Sequence, residues 1–172
     1  MSTEEELQEH AEHAHNPFDR KVAGSMAVIA AALAVVSVLG HIYTTEELLG
    51  QQKASDQWAY YQAKSIRRYE STFVADIFAT LKAPEAVAKY KANIEKYERE
   101  GKEIQDTATE FEHESALSGR RALRLHFGEV FLEVAIVLAS LAILSKREYM
   151  WWAGLICGAG GAAIALTTVW LR

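Results

Sequence analysis

Two runs of 22 residues carry no Asp, Glu, Lys or Arg: "VAGSMAVIAAALAVVSVLGHIY", Val22 to Tyr43, and "MWWAGLICGAGGAAIALTTVWL", Met150 to Leu171. As a helix, each extends about 33 Å, enough to cross a bilayer's hydrocarbon core. Backbone in that core must satisfy its own hydrogen bonds, so a single apolar run can only be helical there. A third stretch, Phe127 to Leu144, is uncharged apart from Glu129 and Glu133. The expectation is an all-α integral membrane protein with three transmembrane helices. The first run exceeds the roughly 7–15 apolar residues of a signal peptide and lacks an A-x-A site, so it reads as an anchor.

Charge is distributed by segment. The formal net charge is −5. The acidic, His-rich start (1–21) has Glu4, Glu5, Glu6, Glu9, Glu12 and Asp19 against Arg20 and Lys21, which reads as a solvated terminus. Thr45 to His126 has 13 bases and 14 acids. Without a basic face, no nucleic-acid partner is expected. Cys157 is the only cysteine and lies inside the last run, so no internal disulfide can form. The small, Ala-rich, multi-pass chain reads as a bacterial inner-membrane protein. Basic residues flank the spans on both sides. Long segments translocate largely regardless of charge, which favours a cytoplasmic N-terminus.

The segments are then spans at 22–43, 127–144 and 150–171, a short loop at 145–149, and an extramembrane helical hairpin at 44–126. The hairpin is rich in Ala, Glu, Lys and Gln, all good helix formers. Its internal proline, Pro84 followed by Glu85, marks a helix start and places the turn near 82–84. The second arm repeats at three- and four-residue steps through Val87, Tyr90, Ile94, Tyr97, Gly101, Ile104, Ala108, Phe111, Ser115, Ser118, Ala122 and Leu125. That is a heptad seam, as in a coiled coil. The matching stripe on the first arm is expected at Leu48, Ser55, Ala59, Gln62, Ile66, Tyr69, Phe73 and Ile77. Each arm is expected to run unbroken into its span.

Within the first arm, "SDQWAYYQAKSIRRYE" places Trp58, Tyr60 and Tyr61 among polar residues. At 100° per residue they fan over an arc of about 160°, wider than one partner helix covers. With Arg67 and Arg68 they form a candidate interaction surface. A second copy of the hairpin is the expected occupant; a partner membrane protein or lipid headgroups are the alternatives.

"KASDQWAYYQAKSIR", Lys53 to Arg67, follows "GHIYTTEELL" at the end of an apolar run. With the start "EHAEHAHNPFDRKVA" and the late "VAIVLASLAIL", it resembles the bacterial membrane-protein family catalogued as domain of unknown function 4337. The resemblance implies the same three-span topology and brings no activity, cofactor or catalytic residue with it.

Three constellations remain. His10, His13 and His15, with Glu6, Glu9 and Glu12, have side chains suited to a divalent metal such as zinc. No second ligand pair at fixed spacing accompanies them, and tail histidines are most often solvated, so no cofactor is expected. His126, Glu129 and Glu133 form a stripe at the start of the second span, with Ser37 and His41 expected at similar depth. An ionised carboxylate inside hydrocarbon is costly, so Glu133 is expected to face protein or water. A proton- or cation-binding site lining a path between helices is one reading, with Glu133 as the binding carboxylate, Glu129 beside it, and His41 or His126 as relay. The plainer reading is a protonated Glu133 bonded to Ser37 or a backbone carbonyl, with Glu129 at the interface. Gly154, Gly158, Gly160 and Gly161 give small-xxx-small spacing for close helix packing. Trp151 and Trp152 read as interfacial anchors.

The reading is thus a non-enzymatic membrane protein, a homo-oligomeric assembly or accessory protein using its hairpin for contact. A small channel or ion-coupled transporter using Glu133 and Glu129 is the alternative.

Overall fold

The computed structural model describes residues 16–171, and within them the chain is all-helical. Helix α1 spans Pro17–Thr80, α2 Pro84–Ser145 and α3 Glu148–Leu166, followed by a 3₁₀ turn at Thr167–Trp170. Each arm of the expected hairpin is therefore one helix with its apolar run. Residues 1–15, including His10, His13 and His15, lie outside the described residues.

Helix α1 starts where local chemistry dictates. The Asn16 side-chain oxygen accepts from the Phe18 N–H at 3.0 Å, an N-cap, and Pro17 occupies the first helical position. It ends as a Schellman turn. Lys82 takes φ 56°, Ala83 N–H donates to the Phe78 carbonyl at 3.0 Å, and Lys82 N–H donates to Ala79 at 3.2 Å. Ala83 then accepts the first bond of α2, from Val87 N–H at 3.1 Å. The turn near 82–84 is where Pro84 placed it.

The chain divides into two compact units. Residues 16–44 and 119–171 form the first, the apolar bundle. Its core is Ile29 and Val36 from α1 with Leu125, Leu132 and Ala135 from α2. Helix α3 packs against α2 through glycines. A Cβ built on Gly161 would lie 2.7 Å from the Gly128 carbonyl oxygen, and one on Gly154 would lie 3.0 Å from that of Ala135. Gly158 is buried as well, against Ile29 and Ala135, whereas Gly160 meets nothing within 4 Å. Three of the four glycines therefore serve packing within one chain.

All three helices are long and apolar enough to cross a membrane, by length and composition. In their most apolar windows only 17%, 28% and 22% of residues are buried. The bundle thus turns most of its apolar surface outward.

Thr45–Ser118 is the second unit, an antiparallel helix pair. Contacts rise along α1 as they descend along α2: Glu47 with Ser115, Lys64 with Glu100, Phe78 with Tyr90. The second-arm seam lies as its spacing predicts, with Gly101, Ile104, Ala108, Ser115 and Ser118 buried.

The first-arm stripe is a correction. Leu48, Ser55, Ala59, Gln62, Ile66, Tyr69, Phe73 and Ile77 are all exposed, Phe73 by 68% and Tyr69 by 65%. The face turned to α2 lies about 100° away and carries Ala54, Tyr61, Ser71, Ala75 and Phe78. The reason is complementary size. Where α2 is small a ring of α1 fits over it, as Tyr61 does over Gly101, and elsewhere small α1 residues such as Ala54, Ser71 and Ala75 let the helices approach. A Cβ on Gly50 would sit 2.9 Å from Ser115 Cβ.

Candidate functional site

Polar groups inside the apolar bundle are costly to bury, so those present are the natural place to look for chemistry. One cluster joins α1 to α2. Gly40 leaves room for the imidazole of His126: a Cβ there would lie 3.3 Å from His126 Cε1. The ring's Nε2 lies 3.2 Å from Thr44 Oγ1, and its Nδ1 lies 3.1 Å from Glu129 Oε2. Ser37 bonds the Glu129 carboxylate, and His41 packs edge-on to His126 with ring centroids 6.3 Å apart.

The bonding pattern restricts where protons sit. Thr44 Oγ1 lies 3.0 Å from the Gly40 carbonyl, and a hydroxyl has one proton to give. With that proton on the carbonyl, Thr44 accepts from His126 Nε2–H. A further proton must then lie between Nδ1 and Glu129, leaving the pair neutral. With the hydroxyl turned to Nε2, Nδ1–H donates to the Glu129 carboxylate and the pair carries one negative charge. Rotation of one hydroxyl therefore accommodates the gain or loss of one proton.

Glu133 does not join this cluster. It lies one residue, about 100°, past the buried Leu132, and its side chain is exposed without a hydrogen bond or ion pair among the described residues. Ser37, expected on Glu133, serves Glu129 instead. The i+7 spacing to His126 brought the two acids onto neighbouring faces, and only Glu129 faces α1.

The hairpin aromatics have specific partners. Trp58 Nε1–H donates to Glu112 at 2.7 Å and meets Tyr61 edge-on at 5.7 Å. Tyr61 lies over Gly101, its ring 3.5 Å from where a Cβ would stand. Tyr60 is half exposed, with the Lys64 ammonium 5.2 Å from its ring centroid. Lys64 also approaches Tyr97 at 5.6 Å and bonds Glu100 at 2.6 Å. The Glu100 bond holds the Lys64 ammonium above its ordinary pKa, and in return Lys64 holds Glu100 below its own. Arg68 stacks on Tyr69 at 5.2 Å, and Arg67 is exposed. Most of the aromatic fan is thus occupied by the second arm. Lys64, Glu100 and Glu112 escaped sequence reasoning because charges on a Lys/Glu-rich helix look alike until the register is known.

Near the other end of the apolar helices, Trp151 donates to Ser25 Oγ at 3.0 Å, and Lys146 pairs with Asp19 at 2.5 Å. Trp152 is exposed. Among the described residues no group of three or more His, Cys, Asp or Glu is arranged to hold a metal ion.

The family model described as domain of unknown function 4337 matches residues 18–171, so the chain belongs to that family. No curated protein and no solved structure matches it.

Proposed function

We propose that this member of the family is a non-enzymatic integral membrane protein of the bacterial inner membrane. It crosses the bilayer three times, has its N-terminus in the cytoplasm, and assembles with copies of itself through the hairpin. The spanning reading is supported by apolar windows that lie mostly on the outside of the bundle. The observation that carries self-assembly is the outward stripe of α1. Leu48, Ile66, Tyr69, Phe73, Ile77 and Leu81 are between 42% and 68% exposed in a segment otherwise rich in charge. At roughly 100 Å² of exposed apolar area each, they come to about 600 Å² per copy. A standard interface buries roughly 800 Å² per partner. Copies anchored in one membrane share an orientation, so the stripes meet in parallel and in register.

Mass measurement of the complex in lipid nanodiscs tests this. The wild type is expected as a defined oligomer, and Ile66→Ser/Phe73→Ser as a monomer with unchanged helicity. A monomeric wild type overturns the reading.

A second reading, a proton- or cation-conducting assembly, is favoured by Glu133. An outward carboxylate with no partner among the described residues, inside a spanning helix, calls for one from a neighbouring copy, and His126–Glu129 supplies a proton-holding group on the same helix. Proton flux into proteoliposomes that falls on Glu133→Gln would establish it. Absence of flux in the wild type removes it.

A further inference from the structure

A groove of about 410 Å³ opens in the apolar bundle between α1, α2 and the end of α3. Val35, Leu39 and Tyr43 form one wall, with Leu125, Ala165 and Thr168 opposite. The volume falls in the range of roughly 300–1,000 Å³ typical of small-molecule sites.

Two features distinguish it from an ordinary crevice between helices. Thr168 is only 6% exposed, and its hydroxyl has no hydrogen-bond partner among the described residues. Its neighbour Thr167 bonds back to the Ile164 carbonyl at 2.6 Å, the usual resolution for a threonine in a helical turn. Thr168 lacks that resolution, and it lines the groove. A buried hydroxyl without a partner is unfavourable, so a ligand bringing an acceptor would gain by meeting it.

The second feature is charge. Arg121 donates through Nη2 to the Leu171 carbonyl at 2.9 Å, and its guanidinium carbon stands 5.5 Å from the ring centroid of Tyr43, a groove residue. Arg124 donates through Nη1 to the Thr167 carbonyl at 3.3 Å. Both guanidiniums are thereby held at the Thr168 end of the groove, each with further N–H donors. Among the described residues neither has a carboxylate partner, since the salt bridges are made by Lys64, Lys96, His126 and Lys146. Two cations with no carboxylate partner among the described residues, beside an apolar groove, match a ligand with an anionic head and a hydrocarbon tail.

We propose that this groove binds an anionic glycerophospholipid. One acyl chain lies along Val35, Leu39 and Leu125, the Thr168 hydroxyl donates to an ester carbonyl, and Arg121 and Arg124 hold the phosphodiester. The site rests on the membrane-spanning reading above, and it is independent of oligomerisation and of Glu133.

The test is native mass spectrometry of the full-length protein in mild detergent, titrated with phosphatidylglycerol or phosphatidylcholine of the same acyl chains. The wild type is expected to retain phosphatidylglycerol at least about ten-fold more tightly. Arg124→Gln should remove most of that preference, and Thr168→Val should weaken both lipids a few-fold. Val35→Trp, which fills the groove from an exposed position, should abolish both without disturbing the core. Equal affinity of the wild type for the two lipids overturns the proposal, as does an Arg124→Gln protein with wild-type preference. Glycerol phosphate in excess is expected not to compete. If it displaces the lipid completely, the site is for soluble phosphate and the proposal fails. Carbonate washing of membranes separates the two levels: a chain washed free defeats the spanning reading itself. A chain that stays but shows no lipid preference defeats only the site.

Discussion

The apolar bundle and the helical hairpin both draw on α1 and α2, and both turn large apolar side chains outward, but the segments they do it in differ in charge. In the bundle the closest contacts are glycine to backbone, Gly161 against Gly128 and Gly154 against Ala135, and bulky Val, Ile and Leu side chains point outward. In the hairpin, the α1 face turned to α2 mixes small residues with Tyr61 and Phe78, while Leu48, Ile66, Tyr69, Phe73 and Ile77 are left outside. An outward valine is at home in hydrocarbon, where apolar contact carries no penalty. An outward phenylalanine in an aqueous segment leaves apolar area that a partner would gain by covering. On the proposed function, the same arrangement of side chains is therefore complete in one region and unfinished in the other.

The strongest way to break this contrast is to obstruct a bundle contact. Gly161→Val places a side chain on a backbone oxygen that cannot move aside, and a loss of about 3 kcal/mol is expected. It should appear as a large drop in the detergent melting temperature, while Gly160→Val, facing open space, changes it little. Equal effects would mean that close approach does not hold α3 in place.

A smaller effect sharpens the hairpin side. Lys82 sits at φ 56°, a conformation that costs a residue with a Cβ but not glycine. Lys82→Gly should stabilise the hairpin by about 1 kcal/mol, raising its melting temperature. A decrease would show that the lysine side chain does more than close the turn.

The smallest effect is electrostatic. Glu100 is held below 4.5 by Lys64, so its contribution is present above that pH and is lost as pH falls through the lowered value. Lys64 is held above 10.5 by Glu100, so its contribution is present below that pH and is lost as pH rises through the raised value. The stability difference between wild type and Glu100→Gln should thus be flat between these limits and shrink outside them. A difference that varies across neutral pH would point to another titrating group.

How much of this was legible depended on which physical signal each residue carries. Absence of charge over 22 residues permits few structures, so the long apolar helices were evident from sequence. Pro84 can begin a helix but not continue one, and the turn followed. The α2 seam was legible because its large and small members share one phase. On α1 large apolar residues occur in two phases, Leu48, Ile66, Phe73 and Ile77 outward and Tyr61 and Phe78 inward among small residues, and counting the aliphatic ones selects the wrong face. Periodicity shows that a face is apolar, without showing what covers it. The Ser37 bond was assigned to the wrong glutamate for a related reason: i+3 and i+7 both return to one side of a helix, and 40° decides which acid reaches across.

The Thr44 hydroxyl is the smallest moving part of the polar cluster between α1 and α2. Turning an O–H bond takes picoseconds to nanoseconds, far faster than any tilt or slide of a helix. The contact between Thr44 and His126 can therefore reverse its direction while α1 and α2 keep their places.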